Sequence, residues 1–176
     1  GNILIVKPEN DSTKIRKISI NVDNFEDLSL RYALSGLHKA GYDEITLYFT
    51  DNKFSQTIEV LMRSLLLGFV VSEQTSKKLV LKKVANEIST ELEPTLRRAF
   101  LVTISFAKSS FEAVKSDDFS SLRQLMALKD TNNQLVSFCI RLLNKSFPEY
   151  EDRKTFLAII TWGLGKITEE YKAICV

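Results

Sequence analysis

The stretch LLLGFVVSEQTSKKLVLKKV, residues 65–84, decides the fold of this chain. It reads as the end of a helix, a glycine, and two strands, 69–74 and 78–84, joined by a short polar turn. Nearly everything after it carries a helical repeat. The sequence therefore predicts an α+β chain with two parts: an α/β sandwich-like module over residues 1–86 and a bundle of helices over 87–176.

The pattern before residue 65 alternates between strand and helix. The predicted strands of the module are residues 3–6, 15–22, 44–49, 69–74 and 78–84. A first helix begins at an approximate capping box, Asn24 with Asp27, and ends at Gly41; a second spans 55–67. Two helices on one face of a sheet of about five strands would bury both apolar stripes.

Three long helices are predicted in the second part, over 92–116, 119–146 and about 150–174, with a cap signal at the aspartates 117 and 118. Short connections between them favour an antiparallel bundle. We expect the first and third helices to bury their longest apolar rows, which are Leu96, Phe100, Thr103, Ala107, Phe111 and Val114 in the first and Phe156, Ile160, Gly163, Ile167, Tyr171 and Ile174 in the third.

Composition narrows the function classes. The 176 residues are 44% hydrophobic and 26% charged, and a net charge of +2 is too small to indicate nucleic acid or an anionic membrane by itself. No apolar run reaches the ~18 residues of a membrane span. Cys139 lies on an apolar helical pattern and is expected to be a buried thiol, and with Cys175 at the far end the cysteines favour a reducing, cytoplasmic location.

Few residues could support catalysis. His38 is the only histidine, and we expect it to be a solvated residue on a surface helix. The glycines form no phosphate-binding loop, and the sequence contains no zinc-ligand spacing. The sequence therefore predicts a protein that is not an enzyme and requires no cofactor.

Two oxygen-bearing side chains, Asp130 and Asn133, interrupt an apolar row of the second long helix. Facing inward, they could ligate a cation such as Mg²⁺, Mn²⁺ or Fe. The alternative is a row that runs Leu125, Leu128, Asn132, Leu135, Cys139 and Leu142. On that row, Asp130 and Asn133 would lie near the edge and meet solvent.

Basic pairs are the other candidates for binding. They are Lys77 with Lys78, Lys82 with Lys83, and Arg97 with Arg98. The lysines either protect an edge strand against aggregation or form a nucleic-acid surface. The arginines either hold an acidic segment of a protein partner or are simply solvated.

Three stretches carry a family resemblance: LSLRYALSGLHKAGYDEITLYF, LLLGFVVSEQTSKKLVLKKVANE and LRRAFLVTISFAKSSFEAV. The chain resembles the archaeal-type phosphate uptake regulators, PhoU-like proteins with an AbrB/SpoVT-type DNA-binding segment ahead of the body. Residues 1–8 resemble the closing strand of that segment, and on this resemblance we expect its DNA-contacting part to be missing. The resemblance implies a PhoU-like bundle, and a non-catalytic role in phosphate-uptake regulation and signalling through transporter or sensor partners.

The resemblance also implies a metal-binding motif and a dimer. Asp130 and Asn133 match the family's first acidic motif; in the second, Gly165 replaces the acid and Glu169 takes the place of an aspartate. A divalent or iron cation would thus have Asp130, Asn133 and Glu169 as ligands, fewer acids than usual. A homodimer is expected, because AbrB-type segments exchange strands and the sheet edges need covering. The alternative function is a transcriptional regulator that binds nucleic acid through the lysines.

Overall fold

The structure, a computed structural model of the chain, describes residues 15–51, 53–84, 89–145 and 147–174. Within these ranges the strands are β1 (Lys17–Asn21), β2 (Glu44–Tyr48), β3 (Phe69–Gln74) and β4 (Lys78–Lys83). The α-helices are α1 (Asp27–Lys39), α2 (Ser55–Ser64), α3 (Leu92–Lys115), α4 (Phe119–Gln124), α5 (Met126–Asn144) and α6 (Lys154–Ile174), and short 3₁₀ helices cover Ser89–Glu91 and Pro148–Arg153. The chain is thus mixed α+β; the predicted strand 3–6 lies outside the described residues.

The strands form one sheet in the order β1-β2-β4-β3, with β1 parallel to β2 and the other pairs antiparallel. Alternate residues of β2 and β4, such as Ile45 and Leu47 or Leu79 and Leu81, face α1 and α2 and build one apolar core with them, to which β3 adds Phe69. The predicted position of 78–84 at the sheet edge is wrong, because β4 pairs with both β2 and β3. The edge next to β4 is occupied by β3.

Helix α1 ends as the sequence predicts and begins differently. Gly41 has φ of 87°. Its N–H donates to His38 O and the Tyr42 N–H donates to Leu37 O, and these two hydrogen bonds form the Schellman motif of a helix that ends at a glycine. The capping box at Asn24 is wrong, since the helix begins after Glu26 without a side-chain cap. Asp27 instead accepts a hydrogen bond of 2.8 Å from the Thr57 hydroxyl of α2.

Helices α3, α5 and α6 pack side by side. Thr103 contacts Asn132 while Leu92 packs with Leu142, so α5 runs antiparallel to α3. The predicted helix 119–146 is two helices, because i→i+3 bonds around Leu125 separate α4 from α5. The predicted helix 150–174 opens with a 3₁₀ turn, and α6 proper begins at Lys154. Asp118 caps α4 as predicted, and its hydrogen bonds from Ser121 and Ser120 lower its pKa to about 2.

The rows of α3 and α6 that are buried differ from those predicted. The buried positions are mostly small or hydroxylated, namely Ala99, Thr103, Ser110 and Ala113 on α3 and Thr161, Leu164 and Thr168 on α6. Thr103, Thr161 and Thr168 each donate to the carbonyl four residues earlier, so burial leaves these hydroxyls bonded. Leu92 and Phe106 are the large side chains that α3 buries, and the small ones between them let the helices approach closely, while other large apolar side chains of α3 and α6 remain exposed.

Candidate interaction surface

Large apolar side chains line one outer face of the helices. We call this face the apolar band, and its exposed members are Phe100, Ile104, Phe111 and Val114 on α3 and Phe156 and Ile167 on α6. Phe111 and Phe156 are each 64% exposed. Ile160 and Gly163 lie between the two α6 members on the same helical row. An exposed apolar face of this extent is typical of a protein-interaction site.

The two halves of the band border the same groove. Leu164 packs with Ala99 and the Tyr171 ring lies 6.2 Å from the Phe106 ring, so α6 runs beside α3 in the same direction. At 100° per residue, the α6 row lies opposite Gly165 and Glu169, which face α5.

The same geometry holds for α3. Its exposed row lies opposite Ser109 and Glu112, which face α4. With α4 and α5 on the far flanks of both helices, the rows meet along the α3–α6 groove and form a single surface.

A buried ionic cluster joins α5 to the sheet module. We call it the junction cluster: Asp43, Lys83, Arg141 and Lys145. Arg141 is fully buried; its Nη2 donates to Asp43 Oδ1 at 2.6 Å and its Nη1 to the carbonyl oxygens of His38 and Tyr42. Lys145 Nζ donates to both Asp43 oxygens, at 2.8 and 2.7 Å, and Lys83 Nζ lies 3.2 Å from Oδ1.

The junction cluster serves the end of α1 as well as the carboxylate. The last carbonyls of a helix lack partners within it. Arg141 bonds to His38 O, and Asn144 Nδ2 donates to Lys39 O at 2.9 Å. Side chains of α5 therefore complete the hydrogen bonding of α1, which fixes the position of the helices relative to the sheet.

Burial by itself raises the pKa of the Asp43 carboxyl. Hydrogen bonds from Lys145 and from the Arg16 N–H, together with the charges of Lys145 and Lys83, outweigh burial and lower that pKa. Burial and the charges of Lys83 and Arg141 lower the pKa of Lys145 despite its bond to Asp43. Asp43 is therefore ionised at neutral pH, and the cluster has the chemistry of a structural ion network.

His38 belongs to the interior. It is fully buried, its Nε2 lies 3.1 Å from Leu67 O, and its ring meets the Phe69 ring edge-on at a centroid distance of 5.3 Å. The prediction of a solvated histidine is wrong, because α1 lies between the sheet and α5 and so has two covered faces. The apolar row Leu30, Leu34 and His38, at spacings of four, could have indicated this burial.

A groove of about 400 Å³ opens beside the junction, between Lys39 of α1, Leu65 and the α5–α6 pair. Its other lining residues are Asn133, Val136, Ser137, Ile140, Trp162, Gly165, Lys166 and Glu169. Burial lowers the pKa of Lys39. Among the residues that the structure describes, this lining contains no histidine or cysteine.

The predicted metal ligands are only partly brought together. Asn133 and Glu169 share the groove, while Asp130 is exposed on α5. Glu169 is 3.3 Å from Lys129 and 3.6 Å from Lys172. Over the described ranges, no three His, Cys, Asp or Glu side chains gather into a possible metal site. The cation stays a prediction.

The alternative row of the second helix is the buried one. Leu135, Cys139 and Leu142 are in the core, with a free thiol at Cys139 as predicted. Asn132 is also fully buried, and its Nδ2 donates to Thr103 Oγ1 at 2.6 Å. The polar residue that faces the core is therefore Asn132 and not Asp130.

The four candidate lysines do not form one surface. Lys77 lies in the turn before β4, and Lys78 pairs with Glu73 at 2.8 Å. Lys82 and Lys83 are neighbours in β4 and so face opposite sides of the sheet, with Lys83 in the junction cluster. Of these four lysines, only Lys77 and Lys82 remain well exposed.

The paired arginines are exposed in the first half of α3. Arg97 lies one turn before Phe100, on the flank of the apolar band, and Arg98 is turned away from the band. Sequence reasoning missed Asp43, Arg141 and Lys145. An arginine between Ile140 and Leu142 in an apolar helical run is the signal that could have found the junction.

Comparisons with known proteins give no relative for this fold and site. No protein-family model, curated protein or solved structure matches the chain. The helices that the structure describes include none long and apolar enough to cross a membrane. The resemblance to the PhoU-like class therefore stays a prediction from the sequence.

Proposed function

We propose that this protein is a non-catalytic regulatory module that binds other proteins through its helices, with a role of the PhoU-like kind in phosphate-uptake regulation. The observation that supports the proposal is the apolar band: six large apolar side chains exposed along α3 and α6. Burial of such a surface against another protein is favourable in free energy, while a small polar substrate would be bound only weakly by it.

Regulation requires that a partner's states bind the band unequally, since only differential affinity shifts an equilibrium. The junction cluster supports a mechanical link between helices and sheet, because Arg141 and Lys145 of the helical part hold Asp43 beside β2. A partner docked on α3 and α6 therefore acts on a body that includes the sheet, where the resemblance places the attachment of a DNA-binding segment.

Phosphate uptake in cells that encode this chain tests the proposal. We expect deletion of the gene, and the band variant Phe111→Asp with Phe156→Asp, both to abolish the dependence of uptake on external phosphate. Tyr32→Asp on α1, at a residue 71% exposed and outside the band, is the matched control and should behave as wild type. An unchanged uptake response in the deletion strain refutes the phosphate role.

Direct nucleic-acid binding is the alternative function. The lysine surface proposed for it supports it poorly, because carboxylates neutralise part of its positive charge. Lys78 and Lys83 already pair with carboxylates, at 2.8 and 3.2 Å. Duplex-DNA affinity measured against salt separates the two functions, because phosphate contacts by lysine give a steep salt dependence. Tight, salt-sensitive binding that Lys77→Ala with Lys82→Ala removes would favour this alternative.

A further inference from the structure

We infer that the occupant of the apolar band is a second copy of this chain, which docks band against band. The inference rests on the proposed function, since it names the partner of the same surface. It concerns a different interface from the sheet edges that the sequence indicated for a dimer.

The size of the band matches one side of a stable interface. Its six exposed members, at 41 to 64% exposure, present about 600 Å² of surface, given that large side chains bury 150–250 Å² each. Interfaces of standard size bury about 1,200–2,000 Å² in total, so two such bands reach the lower end of that range.

The chemistry of the band favours a partner with the same chemistry. The rows Phe100, Ile104, Ala107, Phe111 and Val114 on α3 and Phe156, Ile160, Gly163 and Ile167 on α6 contain no charged residue. A partner for them must bring an uncharged apolar surface of similar length. A two-fold axis through the band meets this need, because each copy supplies the α3 row to the α6 row of the other.

Gly163 is the second observation. It stands mid-helix between Ile160 and Ile167, and nothing outside its own helix comes within 4 Å of the place where a Cβ would be. Glycine destabilises a helix interior relative to alanine, and no contact within the described chain uses the space. A large side chain of a second copy, such as Phe100, which lies level with Gly163 along the paired helices, fits the notch that this glycine leaves in the row.

Sedimentation equilibrium of the full chain, from about 1 to about 100 µM, tests the inference. We expect a dimer that Phe111→Asp and Gly163→Leu each weaken at least about tenfold. Tyr32→Asp and Gly36→Leu on α1 are the matched controls, since Gly36 is also mid-helix with an open Cβ position, and they should stay within about twofold of wild type. Circular dichroism confirms that each variant is folded.

A readout without variants accompanies this experiment. Amide exchange of the wild-type chain should slow along residues 100–114 and 156–167 as concentration rises. A monomer at the highest concentration, a dimer insensitive to both band variants, or controls that weaken it equally would overturn the inference. If the chain is a monomer but the band variant still loses control of phosphate uptake, the inference fails and the proposed function stands. If the chain dimerises through the band but the deletion strain has an unchanged uptake response, the proposed function fails and only the inference stands.

Discussion

Replacing Asp43 with asparagine should lower the free energy of unfolding far more than replacing a carboxylate of an exposed ion pair. The substitution keeps the shape of the side chain and removes the carboxylate that contacts all three cations of the junction cluster. Arg141 and Lys145 are 0% and 4% exposed at their side chains, so water cannot replace the lost charge. Their mutual repulsion then acts in a medium of low polarity.

The expected loss in the free energy of unfolding is about 3–5 kcal/mol, the range for removing one partner of a buried ion pair. A domain of ordinary stability has only about 5–15 kcal/mol in total. Glu44→Gln, at the next residue, is the matched control. Its carboxylate pairs with Lys17 at 3.0 Å, and the Lys17 side chain is 60% exposed, so we expect a loss of at most about 1 kcal/mol.

Urea denaturation at pH 7, followed by circular dichroism, measures both losses. Equal slopes of the unfolding free energy against urea would show that the same surface is exposed in each variant. If Asp43→Asn lost no more stability than Glu44→Gln, the junction cluster would not hold the helices to the sheet, and the link used in the proposed function would fail.

Three further predictions concern titration, the thiol and the cation. The folded pKa of Asp43 is lowered, so its contribution to the free energy of unfolding is complete above the ordinary carboxyl pKa of about 4 and is lost as pH falls through the folded value. The stability difference between wild type and Asp43→Asn should therefore shrink only in that acid range. Urea denaturation from pH 7 to lower pH measures this difference. Burial raises the pKa of Cys139 to about 12, so with Cys175→Ser the native chain should react with a thiol reagent at pH 8 only as it unfolds, and prompt colour would contradict this. If a cation binds, elemental analysis should find it in wild type and not in Glu169→Ala, and metal-free wild type would retire the site.

The sheet module could be predicted from sequence because its signals are local. Strand bounds at 69–74 came from a glycine, a two-residue period and a polar turn, and the structure has β3 at Phe69–Gln74. The end of α1 at Gly41 likewise follows from one residue with positive φ. Strand order is not local: nothing in the sequence near Lys78 says that β4 lies between β2 and β3.

The junction could not be read from sequence for a similar reason. Asp43 and Arg141 are 98 residues apart, and although an arginine inside an apolar helical run indicates burial, nothing near Arg141 in the sequence identifies Asp43 as its partner. The prediction for His38 is wrong because α1 is covered by the sheet on one face and by α5 on another. Periodicity within one element can indicate that His38 and Arg141 are buried, but it does not contain the tertiary packing that supplies their partners.

The difference between the predicted and the observed buried rows of α3 and α6 has a physical cause. Each helix has two apolar rows about a quarter turn apart, one small and one large. Within one chain the small row wins, because close helix approach gains more contacts per unit length and the threonine hydroxyls bond to their own helix. The large row, whose exposed members are 41 to 64% exposed, leaves part of its apolar surface in contact with water, and burial of that surface would be favourable. A strong amphipathic pattern that the folded chain leaves partly exposed indicates a second burial step, and at Phe100–Val114 and Phe156–Ile167 we infer that this step is association.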